Sequence, residues 1–579
     1  MAQMKWGVIG SRRRQSVRQN DMKSQKDPAA QGRESVETHR WEMAGAMVSM
    51  EGKVEKGIRK AVNVLFWSIC AILFMVLLFV DKSAAYPQWA KNHALLPNVA
   101  LVGGLLILLA LGSLVWEKWL SKNHFLGRVR RGIRKGFYPI LGILCVLLFV
   151  LQVYIAHHLY FIAGWDVAIV TGTADWLWTG ERGIGSEYYF SQYPNNVAIV
   201  YILAVIYQVA VKLGFEVYRY FVTILVDCVL IDLAGFFVAL SVKRLTGSCK
   251  AALLAWGIFV GLTGINPWMV VPYTDTFSVL FPVLSFYLYL CARQAHGRMR
   301  ECVLWAAAGV AGMTGYLIKP SAGIVLIAIV CNELLVLAAV RSRRREALLH
   351  LGMILAAFIV SRGLWLHMLD YTGSDLDREV AFSYAHYLML GLNEENTGAY
   401  SSGDYLFSLS IPDRKTRVRE NLRMVSQRIR EYGVGGYLEF MGRKLLLNYN
   451  DGVFAWEQEG GFEMSERNAP VTLAFQRVRR LFRCGTDWYG YYATFAQALW
   501  LLVLFAMPFA GAGKSAKIRT DGAFILRVSL IGSFLFVMLF EARARYLYNM
   551  APVYIVGAAA GLWKISCWLA VRKNGKGHT

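Results

Sequence analysis

Residues 61–80, "AVNVLFWSICAILFMVLLFV", run for twenty positions without one charged side chain. At 1.5 Å rise per residue a helix of that length matches the roughly 30 Å hydrocarbon core of a bilayer. Comparable segments begin near Leu96, Phe137, Asn196, Phe221, Ala251, Val270, Val303, Ser321, Leu351, Tyr491, Ala523 and Leu547. Inside lipid the backbone is satisfied only in helices or closed barrels, and these runs are continuous rather than alternating. The expectation is an all-α polytopic membrane protein with about 12–13 transmembrane helices and helices in the loops outside the membrane. Apolar residues make up 56% of the 579 positions, which agrees.

The net charge of +23 does not point to nucleic acid. Lys and Arg crowd into the N-terminal tail and the short loops, as the positive-inside rule requires. The basic stretches Glu117–Gly136, Ala292–Glu301, Val340–His350, Lys514–Arg519 and the C-terminal "VRKNGKGHT" are expected on the cytoplasmic side, with both termini. One stretch resists. "SVKRLTGSCK" (241–250) reads as cytoplasmic, yet two apolar segments separate it from the outer loop ending at Pro194. Either one of those segments does not span, or this loop breaks the charge rule.

The expected organisation is a basic, disordered cytoplasmic tail over 1–60, two transmembrane helices over 61–136 and a membrane core over 137–370. An extracytoplasmic loop domain over 371–490 and further helices with a short cytoplasmic tail over 491–579 complete it. No apolar run precedes the first span, so a cleaved signal is not expected. In the loop domain Val418, Leu422, Val425 and Ile429 mark one face of an amphipathic helix, with Arg419, Arg423, Arg428 and Arg430 on the other. That basic face is either solvated or set against anionic lipid or a lipid-linked phosphate. Nine scattered cysteines form no CxxC or Cys/His cluster, so neither zinc nor a disulfide framework is signalled. No GxxxxGK[ST] loop occurs, which argues against ATP.

Four motifs fall on the expected outer side. "GWDVAIV" carries Asp166, an acid that is costly at a membrane unless it faces water or a partner. "EYYFSQYPNN" places Tyr193, Asn195 and Asn196 at the head of an apolar run, where the amides suit either helix capping or a sugar. "PYTDTF" holds Tyr273 and Asp275, the acid being either an N-cap or a second site carboxylate. "YLIKPS" and "EARARY" supply Lys319, Arg543 and Arg545, cations that run against the charge bias and suit phosphate oxygens. Glu541 is placed to neutralise one arginine. Two isolated acids do not signal a divalent cation, although they are compatible with one.

In this order, and together with "LMLGLNEENTGAYSSGDY", "KLLLNYNDGVFAWEQEGGF" and "EARARYLYNMAPVY", these motifs resemble those of GT-C glycosyltransferases. The likeness is to bacterial relatives of the protein O-mannosyltransferases and lipid A aminoarabinose transferases, and it covers Phe137 to the C-terminus. It implies transfer of a sugar from a polyprenyl-phosphate carrier to a cell-envelope polymer, lipid or protein at the extracytoplasmic face, by inverting single displacement. Asp166 matches the catalytic acid of the first outer loop, and Asp275 the acid of the next. Where relatives carry an Asp-Glu pair this chain has Asp166-Val167, and where they carry a "KPP" lysine it reads "QYPNN". A transporter or flippase for a lipid-linked sugar would use the same acids and cations without making a bond. A structural or assembly protein with a degenerate site is the third reading.

Overall fold

The computed structural model describes residues 28–80, 94–115, 132, 134–179, 187–373, 375–460, 472–510 and 517–575. The tail before Pro28 and the basic loop up to residue 131 lie outside them. Helix α1 runs Pro28–Phe79, so residues 28–60 of the tail expected to be disordered are helical. The chain from Glu55 onward packs as one unit, and the described residues contain no strand. In chain order its principal helices are α2 (Asn98–Val115), α3 (Phe137–Leu159), α4 (Trp165–Trp178), α5 (Val197–Lys212), α6 (Arg219–Thr246), α7 (Cys249–Phe259) and α8 (Leu280–Ala292). There follow α9 (Arg298–Ile318), α10 (Ile324–Ala339), α11 (Arg344–Thr372), α12 (Arg414–Tyr449), α13 (Asp487–Ala506), α14 (Lys517–Leu539) and α15 (Ala551–Gly575). The protein is an all-α polytopic membrane protein. Eleven helices among the described residues are long and apolar enough to cross a bilayer.

Contacts between helix ends sort the bundle into two ends. At one, Asp521 at the head of α14 gathers Arg59 of α1 at 2.8 Å, Arg293 after α8 at 3.6 Å and Arg343 before α11 at 3.9 Å. The disputed loop is also here. Lys243 lies 4.1 Å from the ring of Phe137 at the start of α3, and Arg244 donates to Gln294. Arg59, Lys243, Arg244, Arg293 and Arg343 therefore share one end. At the other end lie Asp166, Asn196, Tyr273, Lys319 and Arg545.

Helix α5 resolves the crossing count. Asn196, just before it, donates to Tyr273 at the site end, and its Tyr201 and Gln208, two turns apart, both reach Tyr371 at the end of α11. The next helix begins at the same level: Arg219 Nη2 donates to Asp175 at 2.8 Å, and Phe221 lies 5.3 Å from Tyr160, just past α3. So α5 starts and finishes at the site end and does not cross, although together with the turn before it, as Pro194–Lys212, it is long and apolar enough to do so. Of the two explanations for "SVKRLTGSCK", the non-spanning segment is right. Helix α6, about 42 Å long for its 28 residues, then carries the chain to the basic end.

Close helix approach supports the core. An added Cβ at Gly312 of α9 would stand 2.7 Å from Leu326 of α10, and one at Gly315 would stand 2.7 Å from Phe281 of α8. Small residues at such positions let backbones approach where lipid supplies no hydrophobic drive between helices.

The amphipathic face of α12 does not stay wholly solvated. Arg428 turns inward and grips Asp404 with two hydrogen bonds, of 2.8 and 2.6 Å. Arg419 and Arg423 remain exposed.

Candidate active site

Three breaks between helices bring the site's charges together. Pro272 ends an irregular stretch, and the turn after it is fixed by Thr276, whose hydroxyl donates to Val271 O at 2.9 Å and accepts from Tyr273 N at 3.3 Å. This sets Asp275 inside the bundle, 1% exposed. Pro320 keeps the residue before it out of helical geometry, so α9 stops at Ile318 and Lys319 is extended (φ −148°, ψ 121°). Its ammonium donates to Asp275 Oδ1. The 3₁₀ segment Ala544–Met550 presents Arg545, whose Nε lies 3.3 Å from Asp275 Oδ2. Asp275 caps no helix; it holds two cations.

A second carboxylate completes the lattice. Glu459 stands in a π-helical turn, Trp456–Gly460. Its Oε1 accepts from Arg543 Nη1 at 2.9 Å, and its Oε2 lies 2.5 Å from Arg545 Nη1. Phe454 and Ala455 just before it hold φ of 56° and 59°, a strained arrangement that Asp451 supports by accepting from Val453 N and Ala455 N at 2.9 and 2.7 Å. Glu541 reaches Arg543 at 3.5 Å and accepts from Tyr546 OH at 3.1 Å. Three carboxylates, of Asp275, Glu459 and Glu541, thus face three cations, of Lys319, Arg543 and Arg545. Burial alone would raise Glu459, but Arg543 and Arg545 outweigh it and hold its carboxyl below the usual range. Arg545 also lies 4.5 Å from the ring of Trp165, whose indole N–H donates to Glu459 O at 3.1 Å. Trp165 itself is left-handed, at φ 44°.

Asp166 follows immediately, in the first turn of α4. The phenols of Tyr189 and Tyr273 face its carboxyl and favour its charged form. Asn196 Nδ2 in turn donates to those same oxygens, at 2.8 Å to Tyr189 and 3.3 Å to Tyr273, and Asn195 Nδ2 donates to Asn196 Oδ1 at 3.0 Å. Each phenol therefore accepts from Asn196 and donates toward Asp166. This corrects the capping expectation: Asn196 makes no side-chain cap bond to α5 and is spent on the tyrosines. Burial raises the Asp166 carboxyl above the ordinary carboxylate range, against the opposing pull of Arg545.

These groups surround one cavity of about 840 Å³. Asp166, Tyr193, Asn195, Asn196, Tyr273, Lys319, Arg543 and Arg545 all line it. Asp275 does not. It sits behind the wall with both oxygens facing cations, because the turn at Thr276 points it into the bundle.

The family model described as "Conserved hypothetical integral membrane protein" matches residues 56–565. The chain belongs to that family. No curated protein matches it. Among solved structures it is similar to the archaeal oligosaccharyltransferase AglB from Archaeoglobus fulgidus, in complex with an inhibitory peptide and a dolichol-phosphate. The identity is 14% and the TM-score 0.40, over 75% of this chain and 52% of that one, so this chain spans about half the neighbour's length.

In this family member several cavity residues carry no signal that sequence reasoning weighed. Glu459 lies inside a quoted motif, but nothing in "AWEQEGG" distinguishes it from the neighbouring Glu457 until Arg543 and Arg545 are placed beside it. His386 lines the cavity from the loop domain, stacked 4.1 Å from Phe382 and 2.7 Å from Ser408 Oγ, and burial pulls it down to about 4. It is neutral at pH 7. Among the described residues no group of three or more His, Cys, Asp or Glu side chains is placed to hold a metal ion.

Proposed function

We propose that this protein is a GT-C-type membrane glycosyltransferase that moves a sugar from a polyprenyl-phosphate donor to a hydroxyl-bearing acceptor in the envelope. The observation that carries the reading is the meeting of a raised carboxyl, faced by two phenols, and a paired-cation cluster on the walls of a single cavity. By the positive-inside rule, the cations gathered at the other end support a cytoplasmic assignment for that end and an extracytoplasmic one for the cavity.

In the proposed reaction the acceptor oxygen attacks the anomeric carbon as the bond from that carbon to the phosphate oxygen breaks. Asp166 takes the acceptor proton, and its raised pKa strengthens it as a base. The bonding pair leaves with the lipid phosphate, whose growing charge faces Lys319, Arg543 and Arg545. Tyr189 and Tyr273, oriented by Asn196, hold the carboxylate until the acceptor displaces them. Asp275 acts as a positioning residue, fixing Lys319 and Arg545 from behind. Tyr193, with its ring 5.1 Å from that of Tyr189, offers a face to the sugar.

The test is purified protein in liposomes with a labelled polyprenyl-phosphate sugar and extracted envelope acceptors. Free polyprenyl phosphate and labelled acceptor should appear together, and Asp166→Asn should lower both by about 10²–10⁴-fold. Movement of intact donor across the bilayer without carrier release would assign transport instead.

A further inference from the structure

A second cavity, of about 450 Å³, opens on the other side of the segment that walls the first. Ser191 and Pro194 line it, while the intervening Gln192 and Tyr193 line the reaction cavity. Its opposite wall is α11, which brings Arg362 to it. Arg362 lies ten residues before Thr372, about 15 Å along the axis from the helix end. Around it Ile359, Val360 and Leu366 are 63%, 66% and 48% exposed, as lipid-facing side chains are. A guanidinium at such a place costs several kcal/mol unless it reaches water or an anion. Arg362 has no hydrogen bond or ion pair with any described residue.

The rest of the cavity is amphipathic. Trp365, Leu369 and Leu376 give it an apolar side, and Arg378 and Arg414 bring two further cations. Asp375 and Asp377 are the facing acids. Asp377 is partly committed elsewhere, since its Oδ1 accepts from Glu379 N at 2.8 Å, and Arg414 Nη1 donates to Arg378 O at 3.4 Å. Three cations against two acids leave the cavity positive. A cationic floor reached through a lipid-facing helix, with a tryptophan and leucines beside it, matches a phosphate headgroup with acyl chains attached.

We propose that this cavity binds the phosphate headgroup of an anionic membrane lipid, with Arg362 as its contact on the lipid-facing helix. The lipid would press against the Ser191–Pro194 segment, which is stitched to the same loop: Asp377 N donates to Ser191 Oγ at 3.0 Å and Phe382 N to Gln192 O at 3.2 Å. Bound lipid would thereby brace one wall of the reaction cavity.

The test is native mass spectrometry of the full chain, delipidated in neutral detergent and titrated with phosphatidylglycerol. Wild-type protein should retain phosphatidylglycerol, and Arg362→Gln should weaken it by about tenfold or more, the loss expected for one charge-assisted hydrogen bond. Arg362→Lys should keep most of the binding, Arg414→Gln should lose part of it, and Asp166→Asn should leave it unchanged. Equal binding of phosphatidylcholine, or Arg362→Gln and Arg414→Gln both binding like wild type, would overturn the proposal. Displacement of the lipid by millimolar inorganic phosphate would assign the site to a free anion and overturn it equally.

Discussion

Replacing Asp275 by Asn tests the architecture of the site most directly. The carboxylate is 1% exposed and faces two cations, so its loss leaves Lys319 inside the protein without its carboxylate and Arg545 with Glu459 alone. At the 3.3 Å separation from Arg545, a unit charge pair at an effective dielectric of about 20 interacts by about 5 kcal/mol. Breaking a buried pair by removing one partner costs about 3–5 kcal/mol, and the Asn carbonyl still accepts one hydrogen bond, which places Asp275→Asn near 3 kcal/mol. The neighbour predicts the rest. Lys319 is already pulled down by burial against the opposing pull of Asp275, so in the variant it should be pulled down further. Lys319→Met should therefore cost much less in the Asp275→Asn background than in wild type, with a coupling of about 1–3 kcal/mol in a double-mutant cycle. The assay is reversible denaturation in mixed micelles, with each variant checked for monodispersity. A cost within about 0.5 kcal/mol for Asp275→Asn, or additive single and double variants, would refute the reasoning.

Asp166→Asn should lower sugar transfer by about 10²–10⁴-fold while leaving stability unchanged, as read from carrier release and thermal unfolding. Because burial raises this carboxyl, the rate should fall as the pH drops through a midpoint above the ordinary carboxylate value, and a midpoint at or below about 3.9 would contradict its role as base. Gly452→Ala should destabilise the protein by about 1–3 kcal/mol, since an added Cβ would stand 2.5 Å from the backbone of Ala496; unchanged unfolding would show that the approach is looser than described. For topology, Val217→Cys and Met299→Cys, introduced into a chain stripped of its native thiols, should react with an impermeant reagent from opposite sides of the membrane. Labelling of both from the same side would return α5 to the list of spanning helices.

Much of the fold is legible in the sequence because hydrocarbon is an unforgiving solvent: a run such as 61–80 has few alternatives to a helix, and the basic loops mark one end. Helix α5 is the instructive exception. Its composition is that of a span, and only the placement of Tyr201, Gln208 and Arg219 shows both its ends on one side. The acids and cations of the site were readable as residues out of place at helix breaks. Their pairing was not, because it depends on which breaks meet in space. Asp275 reads like Asp166, yet one hydroxyl turn sends it behind the wall. Asn196 reads as a cap because asparagine at a helix start usually is one, and tertiary partners claimed its amide first. Glu459 had no local mark at all.

The non-crossing course of α5 also has a mechanical meaning. This helix begins just after the asparagines that hold the two phenols and is followed by exposed Leu213, Phe215 and Val217, side chains suited to rest in the acyl boundary rather than pass through it. The chamber thus has one wall floating on the leaflet while the others are anchored across it. Bilayer thickness and lateral pressure then act on the position of that wall, and a reconstitution in short-chain lipids would meet a differently shaped chamber from one in long-chain lipids.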